Sequence, residues 1–343
     1  MNYILKGMPL NELQNFVTDN GYPKYRAQQI YHWMYKKSVN QASDMHNLPL
    51  DLQSFLDNNC ILNTLILHKK NNTNDGTIKF LFKTHSNDYI EAVSMIDDNR
   101  HTICVSSQVG CAVDCDFCAT GKMGFKKNLN AGEIIDQLLL IQSHVKKPIT
   151  NIVFMGMGEP FLNYNHVITA ADLMNDSNGL NFSYNRITIS TAGIANKINQ
   201  FINDKIKYNL AISLNATDDD TRNQLMPINK KWPINKLISF ASKYNSSHKA
   251  GLTFEYVLID SINDSDDDAN KLADLLKNTY CKLNIIPFNE IGNNYKRPNN
   301  DKIENFLNIL YKKQKGFTVL VRWSKGVDIN AGCGQLATNI INE

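Results

Sequence analysis

The chain has no apolar run near the roughly 20 residues that a membrane-spanning helix needs. Its first residues, Met1-Asn-Tyr-Ile-Leu-Lys-Gly, hold no apolar stretch and no small-residue cleavage site, so a cytoplasmic location is expected. It has no compositional bias. Over 343 residues, 43% hydrophobic and 20% charged content excludes disordered, collagen-like and low-complexity chains. It has little net charge: 36 basic against 33 acidic side chains leave +3. A pI near 8.3 permits a nucleic-acid partner without demanding one. No internal repeat and no linker longer than a turn stands out. The length suits one large domain, or a large one with a small one.

The even, spread-out cysteines of a secreted disulfide scaffold are also missing. There are seven, an odd number, and Cys104, Cys111, Cys115 and Cys118 fall within fifteen residues. Such clustering points to metal binding or thiol chemistry. Cys60 and Cys281 read as ordinary buried residues.

Periodicity divides the chain. Apolar spacing predicts helices at 10–16, 25–35 and 44–56, then a hairpin from 65–70 and 77–83 and a further strand at 89–96. We expect residues 1–96 to form a small α+β accessory domain. Beyond it, strands at 102–106, 151–154, 186–190, 208–213, 252–258 and 282–286 alternate with helical patterns. A helix at 301–313 and a strand-like run at 318–322 complete the series. This rhythm predicts a parallel sheet with right-handed crossovers over residues 97–343. Six or seven units suit a partial barrel; a doubly wound open sheet is the rival. Either way, functional loops should lie after the strand C-termini.

Cys111-Ala-Val-Asp-Cys115-Asp-Phe-Cys118 is a C-x3-C-x2-C run directly after the first strand of that series. Three thiolates can hold three corners of a 4Fe-4S cluster and leave the fourth iron open. The competing reading is a structural zinc site with Cys104 or Cys333 as fourth ligand. Zinc sites usually use two short C-x2-C pairs, which this chain lacks.

The run resembles the radical S-adenosylmethionine superfamily, whose fold is a partial (β/α)6 barrel. The resemblance is closer still to the adenosine-C2 RNA methyltransferases of the RlmN type. It rests on Ser106-Ser-Gln-Val-Gly-Cys, Phe154-Met-Gly-Met-Gly-Glu-Pro, Ile189-Ser-Thr-Ala-Gly, Leu225-Met-Pro-Ile-Asn and Ala331-Gly-Cys-Gly-Gln-Leu, and it covers nearly the whole chain. Val109-Gly-Cys-Ala and Pro160 favour this branch over the C8-methylating relatives of the Cfr type.

That resemblance implies a role for each site residue. The cluster cysteines are Cys111, Cys115 and Cys118, and the open iron chelates S-adenosylmethionine. Adenine C2 is electron-poor and will not attack a sulfonium methyl directly. Cys333 is therefore implied to take a methyl group from one S-adenosylmethionine. A second yields a 5′-deoxyadenosyl radical that activates the S-methyl group for addition to C2, so two are used per turnover. By the same resemblance, Glu91 takes the C2 proton. Cys104 attacks the Cys333 sulfur to release the product, so the two thiols must approach disulfide distance. Gly158, Glu159, Ser190, Ser213, Leu214, Asn215 and Asn289 match cofactor-contact positions. The glycines beside Glu159 are expected to let backbone approach the ligand. The expected partners are 23S rRNA, tRNA and an external flavodoxin-type electron donor, with the protein a monomer.

Two departures from the family pattern matter. Asn215 replaces the histidine of the usual Ser-Leu-His-Ala, and Gly332 replaces the second alanine of Ala-Ala-Cys-Gly, which predicts a more flexible loop. Basic pairs at Lys69 and Lys70, Lys126 and Lys127, Lys146 and Lys147, Lys230 and Lys231, Lys296 and Arg297, and Lys312 and Lys313 would attract phosphates if they share a face. A non-catalytic, zinc-stabilised RNA-binding protein is the alternative from another functional class.

Overall fold

The computed structural model describes residues 3–246 and 248–338. Tyr3–Ile4 (β1) and Cys60–Ile61 (β2) pair in parallel and bracket three helices, Leu10–Asp19 (α1), Arg26–Tyr35 (α2) and Leu50–Asn59 (α3). The helices bury Leu13, Val17, Ile30, Met34, Leu52 and Leu56, the apolar stripes that the spacing predicts. The third helix starts at Leu50, later than the sequence pattern suggests. Pro49 caps it, and a proline ring would clash with a preceding helical turn. A short 3-10 turn, Ala42–Asp44, stands before it instead.

Four strands then pair antiparallel in sequence order: Leu65–Asn72 (β3), Thr77–Thr84 (β4), Tyr89–Asp97 (β5) and Arg100–Cys104 (β6). A short ribbon, Gln108–Gly110 (β7) with Phe125–Asn128 (β8), comes next. Asn151–Phe154 (β9), Ile187–Thr191 (β10), Asn209–Ser213 (β11), Leu252–Leu258 (β12), Cys281–Pro287 (β13) and Phe317–Val321 (β14) complete the strands. One ten-stranded sheet runs in the order β14-β13-β12-β11-β10-β9-β6-β5-β4-β3. From β6 through β14 every neighbouring pair in it is parallel. The edges of this sheet are β14 and β3, so the parallel part forms a partial barrel, continued by the antiparallel meander without a break.

The longer crossover helices are those the apolar spacing predicts; the short ones at Ala119–Lys122 and Asp219–Leu225 are not. Ala119–Lys122 (α4) is a single turn. After it come Ala131–His144 (α5), Tyr164–Asn175 (α6), Ala195–Asn203 (α7), Asp219–Leu225 (α8), Ile234–Asn245 (α9), Asp266–Leu276 (α10) and Asn300–Lys313 (α11). A capping box opens α5: Asn130 accepts from the Glu133 N–H, and Glu133 accepts from the Asn130 N–H. One apolar core runs from Leu5 through the barrel to Leu336. A buried ion pair, Lys6 to Asp136 at 3.2 Å, ties the N-terminal residues to α5, and Asp136 also accepts from Thr64. No helix among the described residues is long and apolar enough to cross a membrane.

Candidate active site

The β7–β8 ribbon holds the cysteine loop at its two ends. Within the loop, the Cys111 N–H donates to the Gly124 carbonyl at 2.9 Å and the Cys118 N–H to the Cys115 carbonyl at 3.1 Å. Asp116 faces outward and is fixed by the Tyr295 hydroxyl at 2.7 Å. A small apolar cluster of Val113, Ala192, Leu225, Met226, Ile259 and Phe288 packs against Cys111 and Cys115. Cys111, Cys115 and Cys118 line one cavity at the C-terminal ends of the barrel strands, as the strand order requires. Burial pushes the Cys111 thiol up to about 12 and Cys115 well above the ordinary thiol range, and neighbouring thiols reinforce the shift. Thiols so placed stay protonated until a cation displaces the proton.

Among the described residues, no three His, Cys, Asp or Glu side chains converge on a point that one ion would fill. The three thiols line one cavity together. The donor chemistry is that of iron–sulfur ligation. Two buried acceptors nearby, Glu255 Oε1 and Asn289 Oδ1, have no hydrogen-bond partner among the described residues, though Glu255 Oε1 lies 3.9 Å from the Arg322 guanidinium. Glu255 lines the cavity with the thiols. Thiol corners and an unsatisfied polar wall fit a cluster with a polar cofactor beside it.

The opposite wall comes after β9. Gly158 has φ +97°, and a Cβ there would sit 2.5 Å from the Gln108 Cβ. The close approach of two chain segments thus requires glycine here, and Gly158 also lines the cavity. Glu159 lies at the cavity, with Oε1 accepting from the Phe161 N–H at 2.9 Å and Oε2 from the Ala192 N–H at 2.6 Å. A carboxylate has about four acceptor sites, so an ammonium group can still be received. Burial raises its pKa to about 7.

Ser190 and Ser213 also line the cavity, and the Ser190 hydroxyl donates to Glu255 Oε2 at 2.8 Å. Leu214 and Asn215 are turned to other work. Leu214 is fully buried in the core. Asn215 has φ +59°; its Oδ1 accepts from the Val257 N–H at 2.8 Å and its Nδ2 reaches Met226 Sδ. A short amide tolerates this left-handed backbone and locks the turn. Asn289 donates to the Ser324 hydroxyl at 2.8 Å and to the Cys333 carbonyl at 3.0 Å, so it holds the C-terminal loop.

That loop brings Cys333 to the cavity lined by the cluster cysteines. Cys333 is exposed there, whereas Cys104 is buried and desolvation pushes its thiol up to about 11. The Arg322 guanidinium acts on both thiols in the opposite sense, and Cys104 is itself among the charges felt by Cys333. All seven cysteines carry free thiols. Gly332 fits closely among its neighbours. A Cβ there would lie 2.8 Å from both the Asn289 amide nitrogen and Gln335 Oε1.

Glu91 is buried on β5, facing a groove of about 680 Å³ outside the cavity. Its Oε1 meets Lys79 Nζ at 3.0 Å, and its Oε2 accepts from the Ala337 N–H at 3.1 Å. Burial raises its pKa, and Lys79 opposes the rise.

Three residues of consequence carry no sequence signal of their own. Arg222 is fully buried and donates to the Leu214, Ser213 and Ala192 carbonyls, pinning the ends of β10 and β11. Glu255 sits in a strand that otherwise reads as apolar, where only its burial marks it. Lys79 reads as a solvated hairpin residue.

Comparison with known proteins agrees with this geometry. The family model for the radical SAM superfamily matches residues 105–273. That for the ribosomal RNA large subunit methyltransferase N-terminal domain matches residues 3–62. A dual-specificity RNA methyltransferase RlmN of Geobacter sulfurreducens is 40% identical over 97% of this chain and 91% of its own length. A probable one from Cytophaga hutchinsonii is 41% identical, covering 97% and 92%. The crystal structure of a radical SAM methyltransferase from Sphaerobacter thermophilus superposes with a TM-score of 0.93 at 41% identity, covering 97% of this chain and 99% of that one. The chain belongs to the RlmN family of radical SAM RNA methyltransferases.

Proposed function

We propose that this enzyme methylates C2 of adenosine in 23S rRNA, at the peptidyl-transferase centre, and in tRNA, at the adenosine 3′ of the anticodon. The observation that carries the reading is Cys333 lining one cavity with Cys111, Cys115 and Cys118. A cluster there supplies, when bound, the electron that cleaves S-adenosylmethionine. Cys111, Cys115 and Cys118 would hold it, and Glu159, Ser190 and Ser213 would orient the cofactor.

The remaining work falls to two thiols and a carboxylate. The Cys333 sulfur would take the methyl of one S-adenosylmethionine, with S-adenosylhomocysteine leaving, and that S-methyl group would lose a hydrogen atom to the radical from a second before bonding to C2. Arg322 helps by favouring the thiolate. Glu91 takes the C2 proton. Cys104 sulfur then attacks Cys333 sulfur, the bond from Cys333 to the methylene carbon breaks, and the released carbon takes up a proton. The resulting disulfide needs a dithiol reductant before the next cycle. We further propose residues 1–96 as the RNA-holding part, a flavodoxin-type electron donor and a cytoplasmic monomer.

The test is Cys104→Ala. With unmodified 23S rRNA, turnover should fall by about 100-fold or more, and RNA should remain covalently bound to protein on a denaturing gel. Free turnover with no adduct would remove Cys104 from the mechanism.

A further inference from the structure

Lys79 has two partners on different parts of the molecule. On β4, it lies diagonally across from Glu91, since Leu81 pairs with Glu91 and Lys79 with Val93. Long side chains span such a diagonal. Its ammonium meets Glu91 Oε1 at 3.0 Å and donates to the Asn330 carbonyl at 3.4 Å. Asn330 stands three residues before Cys333. Lys79 and Glu91 side chains are only 12% and 6% exposed, so each depends on the other for compensation. Lys79, Glu91, Asn330 and Ala337 all line the groove outside the cavity.

Both Glu91 oxygens are engaged, but unequally. Lys79 on Oε1 is a charged partner carried by the sheet. Ala337 on Oε2 is a neutral N–H carried by the Cys333 loop. A shift of that loop toward a base would free Oε2 and leave Oε1 held.

We propose that Lys79 is a positioning residue that keeps Glu91 aimed into the groove and anchors the entry of the Cys333 loop, so that loop movement uncovers the oxygen that takes the C2 proton. This rests on the reading of Glu91 as the base. In the step, the C2–H bond breaks, the proton passes to Oε2, its electron pair restores the ring, and the unpaired electron left by radical addition passes to a one-electron acceptor of the iron–sulfur class. Lys79 itself transfers nothing.

The experiment compares Lys79→Met, Lys79→Arg and Glu91→Gln in the full-length, cluster-loaded enzyme with unmodified 23S rRNA. Four quantities are read: methyl on the Cys333 peptide, 5′-deoxyadenosine released, covalent RNA–protein adduct and free methylated RNA. Lys79→Met should leave the first two within about twofold, accumulate adduct, and slow product release about 10-fold or more. Lys79→Arg should restore most of the product rate. If Lys79→Met does not load iron, Lys79→Gln is read in its place. Loss of Cys333 methylation in parallel with product, or no rescue by Lys79→Arg, would assign Lys79 a purely structural part and overturn the proposal. A Glu91→Gln enzyme blocked at the adduct beside an unimpaired Lys79→Met would overturn the proposal alone. A Glu91→Gln enzyme that turns over freely would overturn the base reading and the proposal with it.

Discussion

Two segments, the one after β6 that leads into the cysteine loop and the one carrying Cys333, meet at the cavity of Cys111, Cys115 and Cys118, and they are held in different ways. The segment after β6 is pinned by buried side chains. The Gln137 side chain accepts from the Ser106 N–H and donates to its carbonyl, Asn163 donates to the Ser107 carbonyl, and Gln108 accepts from the Glu159 N–H. The loop carrying Cys333 is held by a mixed set, with buried bonds from Thr120 to the Leu336 carbonyl and from the Gly332 N–H to Gln335, and partly exposed ones at its entry. Asp75 accepts from the Gly326 N–H at 2.9 Å, Lys325 pairs with Asp97 at 2.9 Å, and Lys79 and Glu91 hold Asn330 and Ala337. A buried polar network resists single-bond opening because each freed group is left without water. Bonds at the surface exchange with solvent at little cost. The cysteine-loop side is built as a fixed template, while the entry of the Cys333 loop is where bonds open at least cost.

The largest expected break is on the fixed side. Cys118→Ala should remove the cluster and with it S-adenosylmethionine cleavage, a loss of about 1,000-fold or more, read as iron content and 5′-deoxyadenosine. Cleavage that persists would refute the ligand assignment.

Gly158→Ala should come next. It forces a side chain into a left-handed backbone and against Gln108. A destabilisation of about 3 kcal/mol or more is expected in denaturant unfolding. A neutral result would show the template to be softer than its contacts imply.

A third test is the pH dependence of stability. The folded pKa of Glu159 is about 7 against an ordinary 4.5. The folded state then binds more protons than the unfolded one between those values. This contribution is present below about pH 4.5 and lost as the pH climbs through about 7, amounting to about 3 kcal/mol. Unfolding of the cofactor-free protein at about pH 5 and about pH 8 should show that slope, and Glu159→Gln should flatten it.

The smallest effect is expected on the loop side. Gly332→Ala would press on the Asn289 amide and Gln335, both ends of side chains that can shift. A cost of about 1 kcal/mol should appear, with faster exchange of the loop amides as the Asn289 contact to Cys333 loosens. A cost equal to that of Gly158→Ala would erase the contrast between the two sides.

Much of the template was legible in the sequence. The thiol spacing, the strand-helix alternation and the placement of loops at strand ends are local patterns. The β7–β8 ribbon was not, because strands of three and four residues leave too little periodicity. Nor was the merging of the hairpin into the barrel sheet, since pairing across sequence-distant strands leaves no local mark. Asn215 and Leu214 sit beside a cavity-lining serine in the chain, yet one locks a turn and the other enters the core. Arg222, Glu255 and Lys79 acquire meaning only through partners far away in sequence. Local spacing reports which face is apolar, and tertiary contacts decide what a polar side chain does.

The most direct measurement is a nucleoside digest of 23S rRNA and tRNA after incubation with the reconstituted enzyme, S-adenosylmethionine and a reductant. Mass spectrometry against standards distinguishes the products. The account predicts 2-methyladenosine, formed only when Cys333 is present. An 8-methyladenosine product, or 2-methyladenosine from a Cys333→Ala enzyme, would contradict it.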